Sequence, residues 1–250
     1  MGSEITNAVP SKEPVAAISP AGRFFGVFTE PVKTFADIAQ KPGFWAPLIA
    51  LIVVTFAGSE FLVHKVGMEQ IVRRQIEMSG RASTMSAQQL QSAVTEGAKI
   101  GGIFASVGPI VGVPIVLIIL AAFGLLIMKV VFGLSPNFKT AFSVTAHAYL
   151  PMLLGGILSL VVIGFGDPAN MNPQNLIPTN IGFFLSQQST SKALYSLATS
   201  VDVLSFWVLA LLGIGFAATS LRKARPRTVF FCFLALWVIW VLIKTGFALI

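Results

Sequence analysis

Five long apolar runs constrain this chain more than any other feature of its sequence. They lie at about 44–64, 104–128, 140–163, 203–221 and 228–249, and of 17 basic and 10 acidic side chains they hold only Glu60 and Lys244. A bilayer's hydrocarbon core is about 30 Å thick, which about 20 helical residues cross at 1.5 Å each. Each run has roughly that length. Charged residues are 11% of the chain, against about 25% in soluble domains, too few to cover a soluble surface. The expected fold is therefore all-α, a polytopic membrane bundle of five transmembrane helices.

Residues 1–22 carry Pro10, Pro14 and Pro20 among small and polar residues and read as a disordered cytoplasmic tail. Residues 23–250 then form the five-span membrane domain. The first 22 residues contain no apolar core of a signal peptide. Residues 1–6 fit a loose acylation pattern, which five spans make superfluous. Pro31 opens a short helix in which Val32, Phe35, Ile38 and Ala39 share a face, expected to lie amphipathically in the headgroup region before the first span. The connector 65–100 holds two helical stretches. Ser86 and Gln89 form a capping box at the start of the second, which is expected to run on into span two. Pro109 and Pro114 should kink that helix, and Pro151 sits inside span three, where a bundle can tolerate it.

Orientation follows from the short loops. Lys129 and Lys139 flank one turn, Arg222, Lys223, Arg225 and Arg227 fill another, and the short segments opposite hold only Lys192 and Lys244. The exception there is the long 65–100 connector, whose five basic residues are diluted by Glu69, Glu77 and Glu96. Six basic residues against two place the amino terminus in the cytoplasm and the carboxyl terminus outside. Nucleic acid is not the partner of this net positive charge, because the basic residues border membrane segments.

Ionisable groups inside spans are the first candidates for function. Glu60 reads as snorkelling or pairing with Lys65, with a proton or ion site as the alternative. Lys244 can reach outward past the chain end. Asp202 caps the start of span four. His147, beside Tyr149, reads as a neutral ring bonded to another helix, or as a relay that lacks an acidic partner. His64 borders the interface. Gly108 and Gly112 match a small-residue packing pattern that joins helices within the bundle or forms a dimer seam. One cysteine, Cys232, and two histidines support no metal site, and no catalytic or cofactor-binding constellation is present.

The order of several segments resembles the Yip-one domain family, five-span membrane proteins that include Ypt/Rab-interacting members. The segments are Phe28-Thr29-Glu30-Pro31-Val32-Lys33-Thr34-Phe35-Ala36-Asp37-Ile38, Ala148-Tyr149-Leu150-Pro151, Val201-Asp202-Val203-Leu204-Ser205-Phe206-Trp207 and Leu211-Leu212-Gly213-Ile214-Gly215. The similarity covers about residues 24–247. It implies five spans and a cytosolic amino terminus. Eukaryotic members are associated with Rab GTPases and carry an Asp-Leu-x-Gly-Pro motif ahead of span one. Here Lys41-Pro42-Gly43-Phe44-Trp45 stands in that place, which points to the bacterial branch, to the inner membrane, and away from Rab-type binding. The expected function is non-enzymatic: organising membrane or partner proteins, with the lipid bilayer, other membrane proteins or further copies of the chain as partners. A small transporter or channel using the kinked spans two and three is the alternative. A cytoplasm-specific fluorescent reporter fused at Met1 should shine, and one fused after Ile250 should stay dark; signal at both ends would mean an even number of crossings.

Overall fold

The computed structural model describes residues 18–168, 171–220 and 223–249. The tail reading for 1–17, the acylation pattern within it, Leu221 at the end of the expected fourth span and Arg222 of the basic turn lie outside the described residues.

Among the described residues the chain is built of helices: α1 (Pro20–Thr29), α2 (Pro31–Gln40), α3 (Trp45–Val66), α4 (Met68–Met78), α5 (Ala87–Phe132), α6 (Phe138–Ala148), α7 (Pro151–Phe165), α8 (Lys192–Ser200), α9 (Val203–Ala218) and α10 (Pro226–Phe247). Single 3-10 turns stand at Arg81–Thr84 and Ile181–Phe184. Four helical stretches are long and apolar enough to cross a membrane: α3, α5, the consecutive pair α6–α7, and α10. The fifth apolar helix, α9, has 16 residues and is shorter than the expected 203–221. The architecture is an all-α polytopic bundle. One end carries α1, α2 and the turn between α5 and α6; the far end carries α4 and residues 166–168 and 171–202.

The expected continuity of the connector into span two is present. Ser86 caps α5 in a reciprocal capping box with Gln89, and the helix runs unbroken for 46 residues through Pro109 and Pro114. That is about 69 Å, so its polar first turns project beyond the apolar run. Gly133 stops it in the left-handed conformation (φ 65°), where a side chain would be strained. The Leu134 N–H returns to the Met128 carbonyl at 2.9 Å, closing the helix end.

Span three is interrupted. Pro151 has no N–H to give the His147 carbonyl, and the Leu150 N–H takes that acceptor instead at 3.2 Å. The tightened turn at Tyr149 and Leu150 separates α6 from α7. α6 is the axis of the bundle: every residue from Thr140 to Ala148 is buried, against α5, α9 and α2. Its hydroxyls do not seek other helices. Ser143 and Thr145 donate to the carbonyls of Lys139 and Ala141 one turn back.

Small residues set the closest approaches. A side chain at Gly215 would strike Val144 and Phe35, and one at Gly124 would enter the Phe216 ring. Both rings are fully buried in the main core.

The amino-terminal region differs from expectation in two respects. Among the described residues a helix, α1, already begins at Pro20, capped by Ser19, inside the segment read as tail. The amphipathic helix α2 is also not a surface helix presenting Val32, Phe35, Ile38 and Ala39 to lipid headgroups. Phe35 and Ile38 are fully buried in the bundle core while Val32 is exposed. The reason is α1, which pairs with α2 as a hairpin and locks it onto α6 and α9. Arg23 of α1 meets Asp37 of α2 at 2.6 Å, with both side chains largely buried. Removing one partner of such a pair strands the other charge, at a cost of about 3–5 kcal/mol. Asp37→Ala should lower the melting temperature in detergent sharply, and Arg23→Met combined with Asp37→Leu should recover most of the loss.

Candidate functional site

The site lies where the long far-end segment folds back into the bundle. Gly155 of α7 packs against Leu204 and Ile177, and its neighbour Gly156 packs against Val54, near the middle of α3. Gly155 is ten residues from the end of α7, about 15 Å along the helix. The segment 171–202 therefore reaches well inside the bundle, and α9 starts there rather than at its rim. Backbone without helical bonds is tolerated at such depth only where protein or a polar cavity meets its N–H and C=O groups.

Asp202 supplies much of that closure. Its carboxylate accepts from the N–H groups of Leu204 (3.4 Å) and Ser205 (3.1 Å), from the Ser205 hydroxyl (3.0 Å) and from the Thr179 hydroxyl (2.5 Å). It caps α9 as expected, and it also pins the returning strand-like segment. The Val203 N–H donates to the Thr179 carbonyl and the Ile181 N–H to the Val201 carbonyl, each at 3.2 Å, forming an antiparallel bridge of Asn180 with Asp202. Asn175 and Asn180 exchange side-chain amide bonds at 3.1 and 2.8 Å, and Asn180 also accepts from the Phe183 N–H at 2.9 Å. Further out, Arg74 of α4 donates to the carbonyls of Pro168 and Met171 at 2.6 and 2.8 Å.

Two adjoining cavities flank this segment. One, of about 860 Å³, is lined by Arg74, Glu77, Asn172 and Leu176 among others. The second, of about 980 Å³, is lined by Asn180, Asp202, Trp237, Trp240 and Lys244 among others. Asn175, Gln187, Gln188 and Tyr195 border both. Such walls can hold a polar or charged solute. Among the described residues no group of three His, Cys, Asp or Glu could hold a metal ion.

The other sequence candidates are placed apart. Glu60 neither snorkels nor pairs with Lys65: it accepts from the Ser106 hydroxyl of α5 at 2.6 Å, while Lys65 donates to the Gly164 carbonyl. The two helices are packed face to face there, so the nearest donor lies across the contact rather than along α3. His147 does not bond to another helix either. Its Nδ1–H donates to the Ser143 carbonyl in its own helix at 2.8 Å, because the α6 neighbours are apolar side chains. Tyr149 sits at the α6–α7 break, and His64 is exposed. Lys244 turns back to the Ser196 carbonyl and the Thr199 and Ser200 hydroxyls of α8 instead of reaching outward. Gly108 and Gly112 do not join helices within the bundle: a side chain at either would meet nothing within 4 Å. Trp207 packs edge-on against Phe28 at 5.5 Å, tying α1 to α9. The fold-back itself was missed by sequence reasoning. Its signal is the spacing of Asn172, Asn175 and Asn180 around Ile177, polar amides beside an apolar anchor.

The Yip1 domain model matches residues 25–245. Membrane protein YknW of Bacillus subtilis is 26% identical over 195 residues, covering 78% of this chain and 77% of its own. No solved structure matches. Replacing Asp202 by Ala should lower stability by about 2–3 kcal/mol, since it removes a helix cap and strands the Thr179 hydroxyl. Asp202→Asn, which can still cap, should lose much less in the same thermal unfolding measurement.

Proposed function

Because the chain belongs to the Yip1 domain family of multi-pass membrane proteins, we propose that it organises membrane or partner proteins without catalysing a reaction. The observation that carries this is the face of α5 containing Gly108 and Gly112. Open space lies where each side chain would be, so the close backbone approach these glycines permit is not used inside the chain. Glu60, His147 and Asp202 each hold a structural bond as well. On the asymmetry of basic loops, the protein sits in a bacterial inner membrane with its amino terminus in the cytoplasm. Rab-type GTPases are not its partners in this reading, because the segment before α3 is Lys41-Pro42-Gly43-Phe44-Trp45.

The fold-back and its two cavities favour a second reading, a small transporter or channel. Photocrosslinking amino acids at Gly108 and Gly112 in native membranes should capture a protein or a second copy of the chain. The same group at Val238, an exposed position of α10, should not. Equal capture from both faces, or none, would overturn the organising role. Solute flux into liposomes that falls with Asp202→Asn would establish the transporter instead.

A further inference from the structure

Lys244 is the one charged residue of α10 beyond its first turn, and it faces α8 rather than water. All of its described acceptors are neutral: the Ser196 carbonyl at 3.4 Å and the hydroxyls of Thr199 at 3.1 Å and Ser200 at 3.0 Å. The carbonyl end of α8 supplies a fractional counter-charge. Among the described residues no carboxylate oxygen forms an ion pair with it. Asp202 lines the same cavity, but four donors already occupy its carboxylate. Lys192 lines the cavity as well, so its walls carry two ammonium groups against one engaged carboxylate. A positive excess in a half-open pocket, with Lys244 partly buried and Lys192 exposed, attracts an anion.

An independent observation points the same way. Ser196 is 7% exposed, lines the cavity, and its hydroxyl has no hydrogen-bond partner. A buried hydroxyl left unpaired costs stability unless something binds it. On the α10 side the wall is Trp237 and Trp240, and Trp240 and Phe247 continue onto the exposed apolar face of that helix. Ammonium groups and hydroxyls beside an aromatic, lipid-facing wall match the chemistry of a phosphate attached to acyl chains.

We propose that the cavity between α8 and α10 binds a phosphate group, with Lys244 as its charge partner and the Ser196 hydroxyl as a donor. A phospholipid head or a free phosphate could supply that group, and the inference holds whether the protein organises partners or moves solutes. The test uses the purified full chain in an uncharged detergent. Native mass spectrometry should show phosphatidylglycerol retained, and diacylglycerol with the same chains not retained. Lys244→Gln should weaken retention about tenfold or more, and Ser196→Ala, which removes a hydroxyl with no partner in the fold, about fivefold. Lys33→Gln, at an exposed position, should change nothing. A melting-temperature rise with inorganic phosphate alone, lost in Lys244→Gln, would assign the site to a soluble source. Equal retention of both lipids with no phosphate effect would overturn the proposal, as would binding unmoved by Ser196→Ala and Lys244→Gln.

Discussion

A bilayer interior has no water to receive backbone hydrogen bonds, so every peptide group there must be met within the protein. Most of this chain satisfies that constraint by staying helical. The exception is the segment 171–202, much of which enters the bundle as irregular backbone around one 3-10 turn before α8 begins. Its backbone is closed by the bridge of Asn180 with Asp202, by the exchanged amides of Asn175 and Asn180, and by Asp202 holding both Thr179 and the start of α9. The shortness of α9 follows. Its 16 residues cover about 24 Å, and the fold-back occupies the depth that the helix leaves unfilled.

The opposite end is built on a different principle. There α6 is enclosed on every side, and α1 and α2 complete its casing. Gly215 lets Phe35 lie against α9, and Gly124 admits the Phe216 ring between α5 and α9. The Arg23–Asp37 pair then fixes the hairpin in one register. A charge pair in that position adds little net stability, yet it disfavours any arrangement that separates its members. The amino-terminal helices are thus part of the bundle rather than an attachment to it.

One surface and two cavities are left over once the packing is accounted for. The glycine face of α5 has no internal neighbour, and the cavities beside the fold-back carry amides, hydroxyls and two lysines. These features lie on different parts of the molecule. An interaction along α5 and a bound anion between α8 and α10 can therefore operate independently.

The number of apolar segments, their approximate bounds, the all-α class and the capping box at Ser86 were legible in the sequence, as was the cap at Asp202. Each depends on neighbours within a few residues, through local length, hydropathy or helix-end chemistry. The tertiary structure decided the rest. Glu60 finds Ser106 across 46 positions, Lys244 finds Ser200 across 44, and Thr179 finds Asp202 across 23. Periodicity marked Phe35 and Ile38 as one apolar face, but two surfaces could cover such a face equally well, lipid or protein. Only the position of α1, held by Arg23 on Asp37, chose the bundle. Helix formation is a short-range property of a chain, whereas the partner of a buried polar group depends on which distant helices the packing brings beside it.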